Sequence, residues 1–127
     1  MLELGKLIGG RMTGILTPEK ARERYEKARA RTVALRYEVF SHYCGGGEPH
    51  CKCPGCTTRF IEFLQLDHVN GNGNAHRKEN NLGTGGARLW AWVKKMGYPP
   101  GFQVLCRNCN GAKFTRPQCP LHGQEHH

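Results

Sequence analysis

The sequence is short of acids. Asp and Glu number 10 against 19 Lys and Arg, giving a formal charge of +9. That imbalance speaks for an acidic partner, and polyphosphates are the commonest. Long apolar runs are also missing. None approaches the roughly 20 residues of a membrane span, and Met1 to Gly14 lacks the apolar core of an export signal. The expectation is a cytoplasmic protein with no membrane partner. Hydrophobic residues make up only 38% of the 127 residues, and 17 glycines and 7 prolines dilute them further. So small a core usually needs an added staple. There is no internal repeat. Cysteine, in contrast, is plentiful at 7 residues. In a reducing compartment, C-x-x-C pairs read as metal ligands or redox centres before they read as disulfides.

The pattern along the chain predicts an α+β domain preceded by a basic arm. Residues 1–16 are glycine-rich and weakly patterned. Thr17-Pro18-Glu19 is a helix start, with an N-cap, a first-position proline and an early acid. Ala21, Tyr25, Ala28, Thr32, Leu35 and Val39 then fall on one helical stripe, while Arg22, Arg24, Lys27, Arg29, Arg31 and Arg36 occupy the other faces. This predicts a basic amphipathic helix over 18–41. It reads either as a solvated helix packed on the domain or as a phosphate-contacting arm, and its stripe can pair in a homodimer. Residues 1–43 form this arm and helix, and 44–127 the remaining domain.

Within that domain, 44–58 is a cysteine-rich loop, 60–69 an alternating strand, and 70–86 a long Gly- and Asn-rich loop. A helix over 86–96 follows from Leu89, Trp92, Val93 and Met96, with Gly97 to cap it and Pro99-Pro100 to stop it. On that spacing Trp92 belongs to the core, and Trp90 lies off the stripe. A short strand at 103–105 and a short helix over 107–114 complete the order.

Cys53-Pro54-Gly55-Cys56 and Cys106-Arg107-Asn108-Cys109 supply four thiolates for a tetrahedral structural zinc. Two intervening residues let a tight turn aim both sulfurs of a pair at one ion. One pair lies on a glycine-containing loop and the other opens a helix, the pattern of a treble-clef zinc finger. A thiol redox protein is the rival reading, but it expects a βαβ context that is absent. Cys44, Cys51, Cys119 and His122 are left over, for a second metal site, a Cys44–Cys51 bridge or idle thiols.

Asp67-His68 ends the predicted strand, and Asn110 follows the last zinc cysteine. A carboxylate and an amide oxygen suit Mg²⁺ or Mn²⁺. A neutral imidazole can take a proton from water, and the metal can stabilise the charge that develops. The series C-x-x-C, Asp-His, C-x-x-C-Asn resembles the HNH, or His-Me finger (ββα-metal), nucleases, and especially the phage recombination endonuclease VII group. The likeness covers roughly 51–122. It implies a metal-dependent endonuclease hydrolysing DNA, of viral origin and acting in the host cytoplasm. Asp67 and Asn110 would hold the catalytic metal, His68 would be the general base, and Cys53, Cys56, Cys106 and Cys109 would hold zinc. From the residues themselves, His76 joins the catalytic group and, with Arg77 and Lys78, could grip the scissile phosphate, although Arg77 and Lys78 could equally be ordinary surface charges; Lys113, Arg88, Lys94 and Lys95 are further candidate DNA contacts.

The sequence also departs from that pattern. Gly101 stands where the family's middle asparagine usually sits, and the stretch from Asp67 to Cys106 is longer. A regular strand would put Asp67 and His68 on opposite faces. The alternative from a different class is a non-catalytic zinc-finger module that binds DNA.

Overall fold

A computed structural model describes residues 16–83 and 85–115. Cys119 and His122 lie outside the described residues. The chain divides into two units, residues 1–32 and residues 33–127.

The described part of the first unit is the leading portion of α1 (Pro18–Tyr43). Its start is the one expected. The Thr17 hydroxyl accepts the main-chain N–H of Lys20 at 3.1 Å, satisfying one of the donors a helix leaves open. The expected stripe is not a buried face here, since Ala21, Tyr25, Ala28 and Thr32 are all exposed.

The second unit takes up the end of α1, then a 3₁₀ turn (Ile61–Phe63), β1 (Leu64–His68), α2 (Gly73–Glu79), α3 (Gly86–Lys95), β2 (Phe102–Cys106) and α4 (Arg107–Lys113). β1 and β2 form one antiparallel pair with Leu64 opposite Cys106 and His68 opposite Phe102. The result is a small α+β domain with a two-stranded sheet.

The core explains its shape. Val39 and Phe40 from α1, Leu64 and Leu66 from β1, Leu89 and Val93 from α3, and Val104 and Leu105 from β2 are buried together. β1 is buried on both faces over most of its length, so strict alternation was never going to mark it. The segment 60–63, expected as strand, turns instead: the N–H of Phe63 donates to the carbonyl of Phe60 at 2.8 Å.

The expected loop 70–86 is corrected most. Its centre is the helix α2, which the residue types disguised, because Gly73, Asn74 and the flanking asparagines are poor helix formers. Tertiary packing overrides the propensity. His76 turns inward against Trp92, with ring centroids 4.4 Å apart, and Leu82 is buried just beyond the helix. α3 ends as expected. Gly97 adopts φ +77, and the N–H groups of Tyr98 and Gly97 donate to the carbonyls of Val93 and Lys94 at 2.7 and 3.1 Å, a Schellman cap. Both tryptophans are half-buried.

Candidate metal centre

Cys51, Cys56, Cys106 and Cys109 place their sulfurs within 4.8 Å of one another. Zinc–sulfur bonds of about 2.3 Å set tetrahedral sulfurs about 3.8 Å apart, and Cys56 and Cys106 already stand at 4.0 Å. The cluster is therefore preformed to within a small contraction, and its all-thiolate donor set is that of a structural zinc site.

The backbone explains which cysteines meet. The N–H of Cys51 donates to the carbonyl of Thr58 at 3.0 Å, and that of Lys52 to Val104 at 2.8 Å. This pins 51–52 beside β2 and brings the Cys51 sulfur to the N–H of Cys106, 3.2 Å away. Cys106 caps α4, and its sulfur accepts the N–H of Cys109 at 3.5 Å. On the other side, the N–H of Cys56 closes a turn onto the carbonyl of Cys53 at 3.0 Å, through Gly55 at φ +85.

The expected ligand Cys53 is thus replaced in the foursome by Cys51. Cys53 remains buried beside the cluster, its sulfur 3.9 Å from the Pro54 carbonyl and in reach of Cys109. The spacing C-x-x-C drew attention to Cys53, whereas strand-side pairing of Lys52, invisible in spacing, selects Cys51. A Cys44–Cys51 bridge does not form, and both thiols are free of disulfide. Cys44 instead exchanges hydrogen bonds with the main chain of His50.

Burial acts against ionisation at Cys51, Cys56 and Cys109. Burial pushes the Cys51 thiol up to about 12 and pushes Cys109 up as well. At Cys56 burial acts the same way, but the Thr58 hydroxyl and main chain and the neighbouring thiols outweigh it and bring the group down to about 7. Cys56 is thus drawn toward the thiolate form that a metal needs, and binding a divalent cation would draw Cys51 and Cys109 the same way.

The residues of the expected catalytic centre do converge. Asp67, His68, Arg77 and Asn110 line one cavity of about 190 Å³. Their bonding, however, is structural. Lys113 forms an ion pair with Asp67, and Gln103 donates to the same carboxylate oxygen at 2.9 Å. The Lys113 ammonium also donates to the carbonyls of His68 and Val69 at 2.9 and 3.1 Å. Its three protons are used internally, which removes it from the phosphate contacts expected of it. Asn110 donates its amide to Gln65 at 2.8 Å. His68 Nε2 faces His76 Nδ1 at 3.1 Å, and burial, then His76 and Arg77, hold His68 below the ordinary imidazole range.

Among the described residues, the four cysteines are the one group of three or more His, Cys, Asp or Glu side chains arranged for a metal. The HNH reading is corrected accordingly. The chain carries a four-cysteine centre in place of a hydrolytic His/Asn/His one, so the nuclease activity, the hydrolase class and the second Mg²⁺ or Mn²⁺ are withdrawn. A hard divalent cation requires several oxygen ligands, and here the one carboxylate is neutralised by an ammonium.

The remaining expected phosphate ligands divide. Arg77 Nη1 braces the following loop, donating to Gly83 and Gly85 at 3.2 and 2.9 Å. Lys94 pairs with Glu38 at 3.0 Å, and Arg88 reaches the Asn81 carbonyl at 3.4 Å. Lys78, Arg88, Lys94 and Lys95 are exposed. A further aromatic group joins residues distant in sequence. His42 stacks on Tyr98 with centroids 4.0 Å apart, and the Tyr43 hydroxyl donates to Pro99 at 2.6 Å.

Comparison with protein families, with curated proteins and with solved structures finds no match. Among the described residues no helix is long and apolar enough to cross a membrane.

Proposed function

We propose that this chain is a non-catalytic DNA-binding module built on a structural zinc ion. The observation that carries the reading is the four-cysteine cluster, whose chemistry is structural. Cys51, Cys56, Cys106 and Cys109 would hold the ion in a treble-clef-like arrangement, one pair flanking a turn and the other opening α4. The bound metal supplies folding energy to a domain whose own core is small.

DNA is the partner that the +9 charge favours. Lys78, Arg88 and Lys95 are exposed cations in the zinc-bearing unit, and the Arg and Lys residues of α1 add to them. Contacts of this kind grip phosphate and carry little sequence information.

The test combines zinc quantitation, duplex binding across a salt series, and incubation of supercoiled plasmid with Mg²⁺ and with Mn²⁺. One zinc per chain, an affinity that falls steeply between about 50 and about 200 mM salt, and intact plasmid are expected. Plasmid cleavage that His68→Ala abolishes would overturn the reading, as would absence of binding at low salt.

A further inference from the structure

The leading part of α1 has no buried face, since every residue from Pro18 to Thr32 is exposed. Its charges are nevertheless sorted. Lys20, Arg24, Lys27 and Arg31 follow one another at steps of four, three and four. On a helix that spacing confines them to an arc of about 60° over a length of about 16 Å. Glu19, Glu23 and Glu26 lie together along one flank of this stripe, and Arg22 and Arg29 lie on the opposite face.

The stripe is not explained by helix stability. Like charges one turn apart repel and weaken a helix, and Lys20 with Arg24, Arg24 with Lys27, and Lys27 with Arg31 are three such pairs. Among the described residues, none of the four cations forms an ion pair. Glu23 stands four residues before Lys27 without pairing to it. The repulsion is relieved when an extended anion lies along the stripe.

The rest of the helix decides which anion. A helix that lies on a membrane surface needs a face of large apolar side chains, and from Pro18 to Thr32 Tyr25 is the one large apolar residue. A DNA strand carries one phosphate about every 3.4 Å of helix axis, a line of charge that suits a line of cations. The position of the acids narrows the geometry further. The major groove has phosphates on both walls, so a helix seated in it would bring the Glu19, Glu23 and Glu26 flank against one of them. A helix meeting a single backbone from outside keeps its cations on the phosphates and its acids away.

We propose that Lys20, Arg24, Lys27 and Arg31 form a docking stripe for one phosphate backbone of DNA, with the helix outside the major groove. The proposal rests on the DNA-binding reading above and narrows the contribution of α1 to one face. Contacts of this kind fix position and carry no base readout.

Two double variants of the full zinc-loaded chain test it, each removing two positive charges. Arg24→Gln with Arg31→Gln alters the stripe, and Arg22→Gln with Arg29→Gln alters the opposite face. Glutamine is close to arginine as a helix former, and far-UV circular dichroism with zinc content confirms that both variants are folded. Fluorescence anisotropy on a labelled duplex is followed from about 50 to about 200 mM salt. For the stripe variant, the slope of log K against log salt should become shallower by about two. Its affinity at about 100 mM salt should fall by more than about tenfold. The opposite-face variant should change the slope by less than about 0.5. Equal losses in the two variants would mean that net charge alone acts, which overturns the stripe. No loss in either, with the wild type still bound, also overturns it and leaves the DNA-binding reading to the cations of the zinc-bearing unit. Failure of the wild type to bind the duplex overturns both. Co-sedimentation with phosphatidylserine vesicles is the last arm: binding tighter than to the duplex, and lost in the stripe variant, would reassign the stripe to a membrane surface.

Discussion

The ammonium of Lys113, at the end of α4, sits against the carboxylate of Asp67, one residue from the end of β1. The two side chains are only 15% and 8% exposed. The same ammonium holds the carbonyls at the end of β1, so one side chain ties α4 to the strand. α4 also carries Cys109, and the tie therefore supports the metal centre as well as the sheet.

Removing one partner of a pair this deeply placed should be costly, since it strands the other charge. Lys113→Met is expected to destabilise the zinc-loaded protein by about 3 kcal/mol. Adding Asp67→Asn to it should restore part of that loss. Chemical denaturation of the two single variants and the double variant measures the coupling. A loss below about 0.5 kcal/mol for Lys113→Met, the range of a surface change, would show that the pair does not clamp α4.

The choice of zinc ligands separates Cys51 from Cys53. Cys51→Ser should lose bound zinc and, with it, cooperative thermal unfolding, because ligand binding and folding are linked. Cys53→Ser should retain about one zinc per chain. Metal analysis after dialysis gives the answer, and chelation of the wild type should mimic Cys51→Ser. Retention by Cys51→Ser together with loss by Cys53→Ser would restore the assignment that spacing alone suggests.

That contrast shows what was legible in the sequence. The helix at 18, α3 with its Gly97 cap, and the short strand before Cys106 follow from local rules, and the structure keeps them. Three of the four cluster cysteines could also be named. The fourth could not, because a main-chain bond from Lys52 to Val104 decides it. The same holds for Asp67 and His68. Their types and order suggested hydrolytic chemistry, but their roles are set by Lys113, Gln103 and His76, which approach from other elements. The helix α2 was hidden by its own composition and emerges through packing of His76 on Trp92.

Acidification should weaken the fold through His68. Its imidazole is held below the ordinary value by burial, then by His76, Arg77 and Lys113, against a smaller opposing effect from Asp67. An unfolded histidine titrates near 6.5. Below that value the unfolded chain binds the proton more readily than the folded one, so stability falls as pH falls. The contribution is fully present above about 6.5 and is lost as pH drops through the folded value. Melting temperatures at about pH 7.5 and about pH 5.5 should therefore differ more in the wild type than in His68→Gln. Zinc retention is followed in both, because thiolate protonation affects both alike. Parallel losses in the two proteins would remove His68 from the account.

Gly86 and Gly111 make opposite predictions from one substitution. Both are helical, and replacing glycine by alanine within a helix ordinarily gains about 0.5–1 kcal/mol. At Gly111 a new methyl meets nothing within 4 Å, so Gly111→Ala should show that gain. At Gly86 the methyl would lie 2.7 Å from Cζ2 of Trp90 and 3.0 Å from Cε2. The indole cannot easily yield, since Arg36 covers it and Phe40 meets it edge-on at 5.5 Å. Overpacking of this kind costs about 1–3 kcal/mol, which exceeds the helical gain. Gly86→Ala should therefore lower the unfolding midpoint while Gly111→Ala raises it. A rise for both would mean that the Trp90 ring is free to move despite its contacts with Arg36 and Phe40.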